Sequence, residues 1–341
     1  MKLIPLLILF EISLIMASDT DWRRKILVTN KETPEEGLKI LREKCDLIFP
    51  ESVPATRDEI LKLIPGVDGI LWVGHYALNG EVLDLGMPTL KSISTMSAGM
   101  DYVDIAEFKR RNFPLGYTPS VLSDAVADEA IGLMIAAGRR FHEGRLKIEN
   151  SEWAGGPQWM LGQDIKAKTI GIIGLGQIGQ TIAKRLKGFD VRRILYSGRK
   201  PKPEGDKLGA KFVPQTELLK GSDYVFLSVP LNNSTRHMIN ATTLREMKRT
   251  AVLINVARGE IVDQEALVAA LKDGTIFAAG LDVMTPEPLP ADSELLKLPN
   301  SVIVSHLGSA TRRTRDDMAV LAALNVLAGI DGSPMFAPYP Y

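Results

Sequence analysis

Three side chains in this chain could together assist the reduction of a carbonyl group by a hydride donor. Arg258, Glu287 and His306 each stand a few residues past a short apolar run, at 251–256, 278–283 and 302–304. In an open parallel α/β sheet such positions collect on the rim outside the carboxyl ends of the strands, where ligands bind. A guanidinium there can grip a substrate carboxylate and polarise the carbonyl beside it. An imidazole can give a proton to the carbonyl oxygen while hydride arrives at carbon. A carboxylate bonded to the other ring nitrogen would fix the tautomer and favour the charged ring. Taken singly, each residue has a plainer reading: a sheet-end ion pair, a solvated loop carboxylate, a helix cap. Their joint placement at successive strand ends favours chemistry.

A hydride donor has an evident seat. The apolar run 169–173 leads into Gly174-Leu-Gly176-Gln177-Ile178-Gly179, and Ile178, Ile182 and Leu186 then recur at helical spacing. One glycine of such a turn permits the tight bend, one lets backbone approach a pyrophosphate, and one allows helix and strand to pack closely. The free amides and partial positive charge at the helix start receive the phosphates. A carboxylate at the end of the next strand would select NAD(H) by its ribose hydroxyl. Here that strand ends in Ser197-Gly-Arg199-Lys200-Pro-Lys202. Ser197 can hydrogen-bond a 2′-phosphate and Arg199 can pair with it, with Lys200 and Lys202 adding positive field. The expectation is NADP(H) in preference to NAD(H), with NAD(H) possible.

The elements behind these residues read as a doubly wound α/β fold. Apolar runs at 169–173, near 194, and at 224–229, 251–256, 278–283 and 302–304 alternate with helical stretches, which predicts six parallel strands covered on both faces. Upstream, runs at 26–29, 69–73 and 90–94 predict a smaller α/β partner that completes a cleft, with Gly74-His75 at its mouth. An apolar helical stretch at 123–147 would cross between the two, and one at 316–330 would return the chain to the first. The expected division is an appendage at 1–20, a discontinuous substrate domain at 21–120 and 309–341, and an NADP-binding domain at 121–308.

The 341 residues suffice for two cores, and 45% are apolar against 24% charged. Lys+Arg and Asp+Glu are equal at 41 each, so the charge balance points to neither nucleic acid nor an anionic membrane. The single cysteine, Cys45, excludes an internal disulfide, and no Cys/His spacing suggests a metal site. A reducing, cytoplasmic setting is the default expectation. Against it, residues 1–18 carry an interrupted apolar run that reads as a leader, an anchor or a tail.

The glycine turn, Pro230-Leu231 after a strand, Asn255-x-x-Arg258-Gly259, Gly280-Leu-Asp-Val-x-x-x-Glu287-Pro288 and His306-Leu-Gly-Ser309 resemble the D-isomer-specific 2-hydroxyacid dehydrogenases from residue 25 onward. Residues 93–101, 116–119, 195–199 and 306–311 are similar to the glyoxylate/hydroxypyruvate reductase branch. The resemblance implies reduction of small 2-oxo acids, with Arg258, Glu287 and His306 catalytic. It implies that the backbone amides of Ala98 and Gly99 hold the substrate carboxylate, with Ser309 nearby. Asp282 would meet the nicotinamide side of the cofactor, with Pro230, Val256 and Gly308 lining its cleft. It further implies a homodimer built on the crossing helices. One departure concerns a tryptophan that the reductase branch lends to the neighbouring subunit: here Trp153-Ala-Gly-Gly-Pro-Gln-Trp159 is shorter, and either tryptophan could serve there or simply line an interface. A related dehydrogenase of different substrate, or a nucleotide-sensing corepressor on the same scaffold, stands as the alternative.

Overall fold

The computed structural model describes residues 23–341, so the expected appendage at 1–20 lies outside the described residues. Two parallel sheets organise the chain. The smaller holds β1 (Arg24–Val28), β2 (Cys45–Ile48), β3 (Gly69–Trp72), β4 (Ser92–Thr95) and β5 (Leu115–Gly116), in the order β2-β1-β3-β4-β5. The larger holds β6 (Thr169–Ile173), β7 (Arg193–Ser197), β8 (Ala210–Phe212), β9 (Tyr224–Leu227), β10 (Val252–Asn255), β11 (Ala278–Leu281) and β12 (Ser301–Ile303), in the order β12-β11-β10-β9-β6-β7-β8.

The central strands β6, β9, β10 and β11 are buried at every residue. Helices cover both faces of such a sheet, so its strands read as unbroken apolar runs. Strands β2, β5 and β8 were not evident in that pattern. All three are sheet edges of only two to four residues, and β2 and β8 meet solvent along part of their length. The larger sheet accordingly has seven strands rather than six, and the smaller five rather than three.

The crossing helix is shorter than its composition suggests. It runs Ser123–Gly138, Arg140 turns into the left-handed region at φ 58°, and a separate helix follows at Phe141–Glu149. The carbonyl of Gly138 accepts the Gln163 amide at 2.8 Å, which caps the helix end from a distant loop. At the other end, Thr311 accepts the Thr314 amide and starts the helix Arg312–Ile330 four residues before the expected 316. That helix packs on Glu35–Arg42 and on β3 and β4, while Ser123–Gly138 packs on Gln177–Leu186 and on β10 and β11. The chain therefore passes between the two sheets twice, at 117–122 and at 304–311.

Candidate active site

A crevice of about 1270 Å³ lies between the carboxyl ends of the two sheets. On its cofactor side the three glycines of the turn have visibly different surroundings. Gly174 has φ 97°, and a Cβ on it would fall 2.7 Å from the Ser228 carbonyl oxygen. A Cβ on Gly179 would fall 2.1 Å from the Gly174 oxygen. Gly176, by contrast, faces open space. It precedes the helix Gln177–Leu186, whose first turn has no side-chain cap, so the Gln177 and Ile178 amides remain available for an anion. This cradle fits a dinucleotide pyrophosphate: two glycines are held by packing, and the third leaves room for the group.

The Gly174 amide donates to the Ser197 carbonyl at 2.9 Å, tying the turn to the end of β7. Ser197 itself is buried, Arg199 and Lys200 are exposed beside it, and the Lys202 ammonium donates to the Leu175 carbonyl at 2.9 Å. The structure thus gathers the predicted cationic loop around the glycine turn, with Lys202 in direct contact. Pro230, Val256, Ile178 and Gly308 line the crevice as well.

Arg258, Glu287 and His306 meet in the same crevice. His306 adopts φ 56° and places Nδ1 2.8 Å from Glu287 Oε2. Burial acts to raise the Glu287 carboxyl, but the bond and charge of His306, the Met284 amide at 3.0 Å and Arg258 outweigh it, and the group lies below its ordinary value. An ionised carboxylate only accepts, so Nδ1 carries the proton and Nε2 is left for a ligand.

Asp282 supports this pair from beneath. It is 2% exposed and accepts the Leu307 amide at 2.5 Å and the Gly308 amide at 3.1 Å, while its own carbonyl accepts the His306 amide at 2.9 Å. Its carboxylate is thereby committed to the left-handed turn that presents the imidazole, although Asp282 also lines the crevice. Burial raises its pKa against the pull of these amides and His306.

The guanidinium of Arg258 is held by two of its nitrogens. Nε pairs with Asp101 at 2.9 Å and Nη1 donates to the Ala257 carbonyl at 2.8 Å. Nη2 lies so close to the 98–99 loop that a Cβ on Gly99 would fall 1.8 Å from it. The unspent nitrogen therefore faces the small-residue loop of Ala98 and Gly99, with Ser309 on the same lining.

Three participants escaped the sequence reading. Asp101 holds Arg258 from across the crevice, and only its nearness to Ala98-Gly99 hinted at a role. Glu129, on the crossing helix, has its carboxyl pushed up to about 7 by burial and by Asp282. Arg315 lines the crevice floor, and burial lowers its pKa despite Asp282. Neither of the last two breaks the helical pattern around it. No group of three His, Cys, Asp or Glu among the described residues could hold a metal, and no described helix is long and apolar enough to cross a membrane.

Known proteins match the chain over most of its length. Residues 131–308 match the family described as D-isomer specific 2-hydroxyacid dehydrogenase, NAD binding domain. The chain is 42% identical over 316 residues to glyoxylate reductase/hydroxypyruvate reductase of Homo sapiens, covering 91% of this chain and 96% of that protein. It is 42% identical over 317 residues to glyoxylate reductase of Thermococcus kodakarensis, covering 91% and 94%. Among solved structures it resembles an NADPH-dependent glyoxylate/hydroxypyruvate reductase from Sinorhizobium meliloti in complex with NADP and malonate. That match has a TM-score of 0.80 and 32% identity, covering 93% of this chain and 97% of the other.

Proposed function

The chain belongs to the D-isomer-specific 2-hydroxyacid dehydrogenases, and from that premise we propose that it reduces glyoxylate to glycolate and hydroxypyruvate to D-glycerate, preferring NADPH to NADH. The observation that carries this reading is the convergence of an imidazole, paired to Glu287 at 2.8 Å, with a guanidinium whose free nitrogen faces Ala98 and Gly99.

The nicotinamide group, when bound, supplies hydride to the carbonyl carbon. The amides of Ala98 and Gly99 and the Nη2 of Arg258 receive the substrate carboxylate, and the fixed guanidinium stabilises charge growing on the carbonyl oxygen. His306 gives that oxygen the proton from Nε2 as general acid, and Glu287 steadies the resulting ring. Closure of the two sheets over the crevice excludes water. The glycine turn, with Gly174, Gly176, Gln177, Ile178 and Gly179, holds the pyrophosphate. Ser197, Arg199, Lys200 and Lys202 receive the 2′-phosphate, a reading supported by the absence of a carboxylate at the end of β7 and by the NADP in the Sinorhizobium structure.

The purified protein should oxidise NADPH with either 2-oxo acid, and Arg199→Glu should shift preference toward NADH. Equal or better turnover with NADH in the unaltered protein would refute the cofactor assignment. In domain terms, 21–120 with 309–341 binds substrate and 121–308 binds cofactor. A homodimer is supported by exposed Phe141, Ile148, Trp153 and Leu161 on the segment after the crossing helix, and light scattering on the eluted protein checks it. A buried free Cys45 suits a reducing, cytoplasmic compartment, which localisation of a tagged chain tests.

A further inference from the structure

Beside His306 stands a second imidazole that the reaction described above does not use. His75 follows β3 on the smaller sheet, and its ring stacks on His306 with centroids 5.6 Å apart and 23° between planes. The ring of Tyr102 meets it edge-on at 5.2 Å. His75 lines the crevice, one side open to its water, and its ring nitrogens bond to no described residue.

The charge state of this ring follows from its neighbours. Desolvation between the two sheets, then the nearby Arg258 and His306, lower its pKa, and Asp101 and Glu287 only partly oppose them. At neutral pH His75 is therefore uncharged, with one ring nitrogen a donor and the other an acceptor. A hydroxyl group has the same two capacities, whereas a hydrogen or a methyl has neither.

The carbonyl carbon of a 2-oxo acid has three substituents. The carboxylate belongs with Ala98, Gly99 and Arg258, and the oxygen with His306. The third substituent remains to be received, and the ring lying parallel to His306 has unspent hydrogen-bonding capacity. We infer that His75 is a specificity-determining residue whose imidazole receives a hydroxyl on the carbon next to the carbonyl, so that a 2-oxo acid hydroxylated at C3 is favoured over one whose third substituent on the carbonyl carbon is hydrogen or methyl. The inference rests on the reading of the crevice as a 2-oxo acid reductase site and deepens it. A site with a polar group aimed at a substrate hydroxyl penalises the analogue that leaves that group unpaired. The crevice is open to water, so the penalty is smaller than in a sealed pocket.

The test compares hydroxypyruvate, glyoxylate and pyruvate with saturating NADPH in the unaltered protein, His75→Phe and His75→Gln, with thermal melts to check folding. The unaltered protein should favour hydroxypyruvate over pyruvate in kcat/KM by about tenfold or more. Phe keeps the stack and loses the hydrogen bonds, so His75→Phe should lower the hydroxypyruvate-to-glyoxylate ratio of kcat/KM by about tenfold, chiefly through the KM for hydroxypyruvate. His75→Gln retains a donor and an acceptor and should restore most of that ratio. A ratio within twofold of the original in His75→Phe would overturn the inference, as would an equal loss with both substrates. If His75→Phe does not fold, the Gln variant and the pyruvate comparison still decide, because efficient pyruvate reduction by the unaltered protein contradicts the assignment. No turnover with any of the three in the folded, unaltered protein would overturn the reductase reading itself.

Discussion

The two sheets share an architecture and divide the work unequally. Both are parallel, and both turn the carboxyl ends of their strands toward the crevice. The larger is self-sufficient: Glu287 bonds His306, and Asp282 bonds the turn that carries it, all within one set of strand ends. Groups from the smaller sheet act by reaching across, Asp101 to Arg258 and His75 to His306. On the proposed reading, one half of the crevice carries the proton-handling groups and the other orients, admits and selects. Changes in the larger half should show mainly in kcat, and those in the smaller mainly in KM and selectivity.

Four substitutions bear on that contrast, and a fifth bears on its foundation. His306→Gln should lower kcat by about 10²–10⁴-fold with NADPH binding intact, measured by cofactor fluorescence. Arg258→Ala should cost about 10²–10³ in kcat/KM, and unchanged turnover would remove the guanidinium from the mechanism. Glu287→Gln should cost about tenfold or more in kcat. Gly99→Ala, on the smaller side, drives a methyl into Nη2 of Arg258 and should raise the substrate KM about tenfold with a smaller change in kcat. A loss confined to kcat there would break the division of labour.

The smallest effect is expected at Glu129. Its carboxyl lies at about 7 rather than the ordinary 4.5, so the folded state binds the proton more tightly than the unfolded one. Stability is then highest below the ordinary value and declines as the pH rises toward 7. Glu129→Gln should melt about 2 °C higher than the parent at pH 8 and show no such gain at pH 4.

Legibility in the sequence followed how locally each feature is determined. The central strands β6, β9, β10 and β11 were readable because burial on both faces writes itself as an apolar run. The glycine turn was readable because bend, approach and packing all act within six residues. The residues proposed for catalysis were readable by their positions past strands, and the structure brings them into one crevice. The break at Arg140 was not, and the amide that takes up the Gly138 carbonyl there, that of Gln163, arrives from another segment. Asp101 was hidden for the same reason: the side chain it holds lies 157 residues along the chain. The edge strands β2 and β8 were lost because a half-wet edge carries too little periodicity to stand out.

A panel hung at two points turns only about the line through both. The polypeptide links its two halves at 117–122 and at 304–311, and residue 306 belongs to the second link. The imidazole is therefore mounted at a pivot, where any swing of one half against the other sweeps it through the shortest arc. Asp101 and His75 are borne on the opposite leaf, outside either link. The residue proposed as proton donor thus stands at the junction, and the residues proposed to admit the substrate stand away from it.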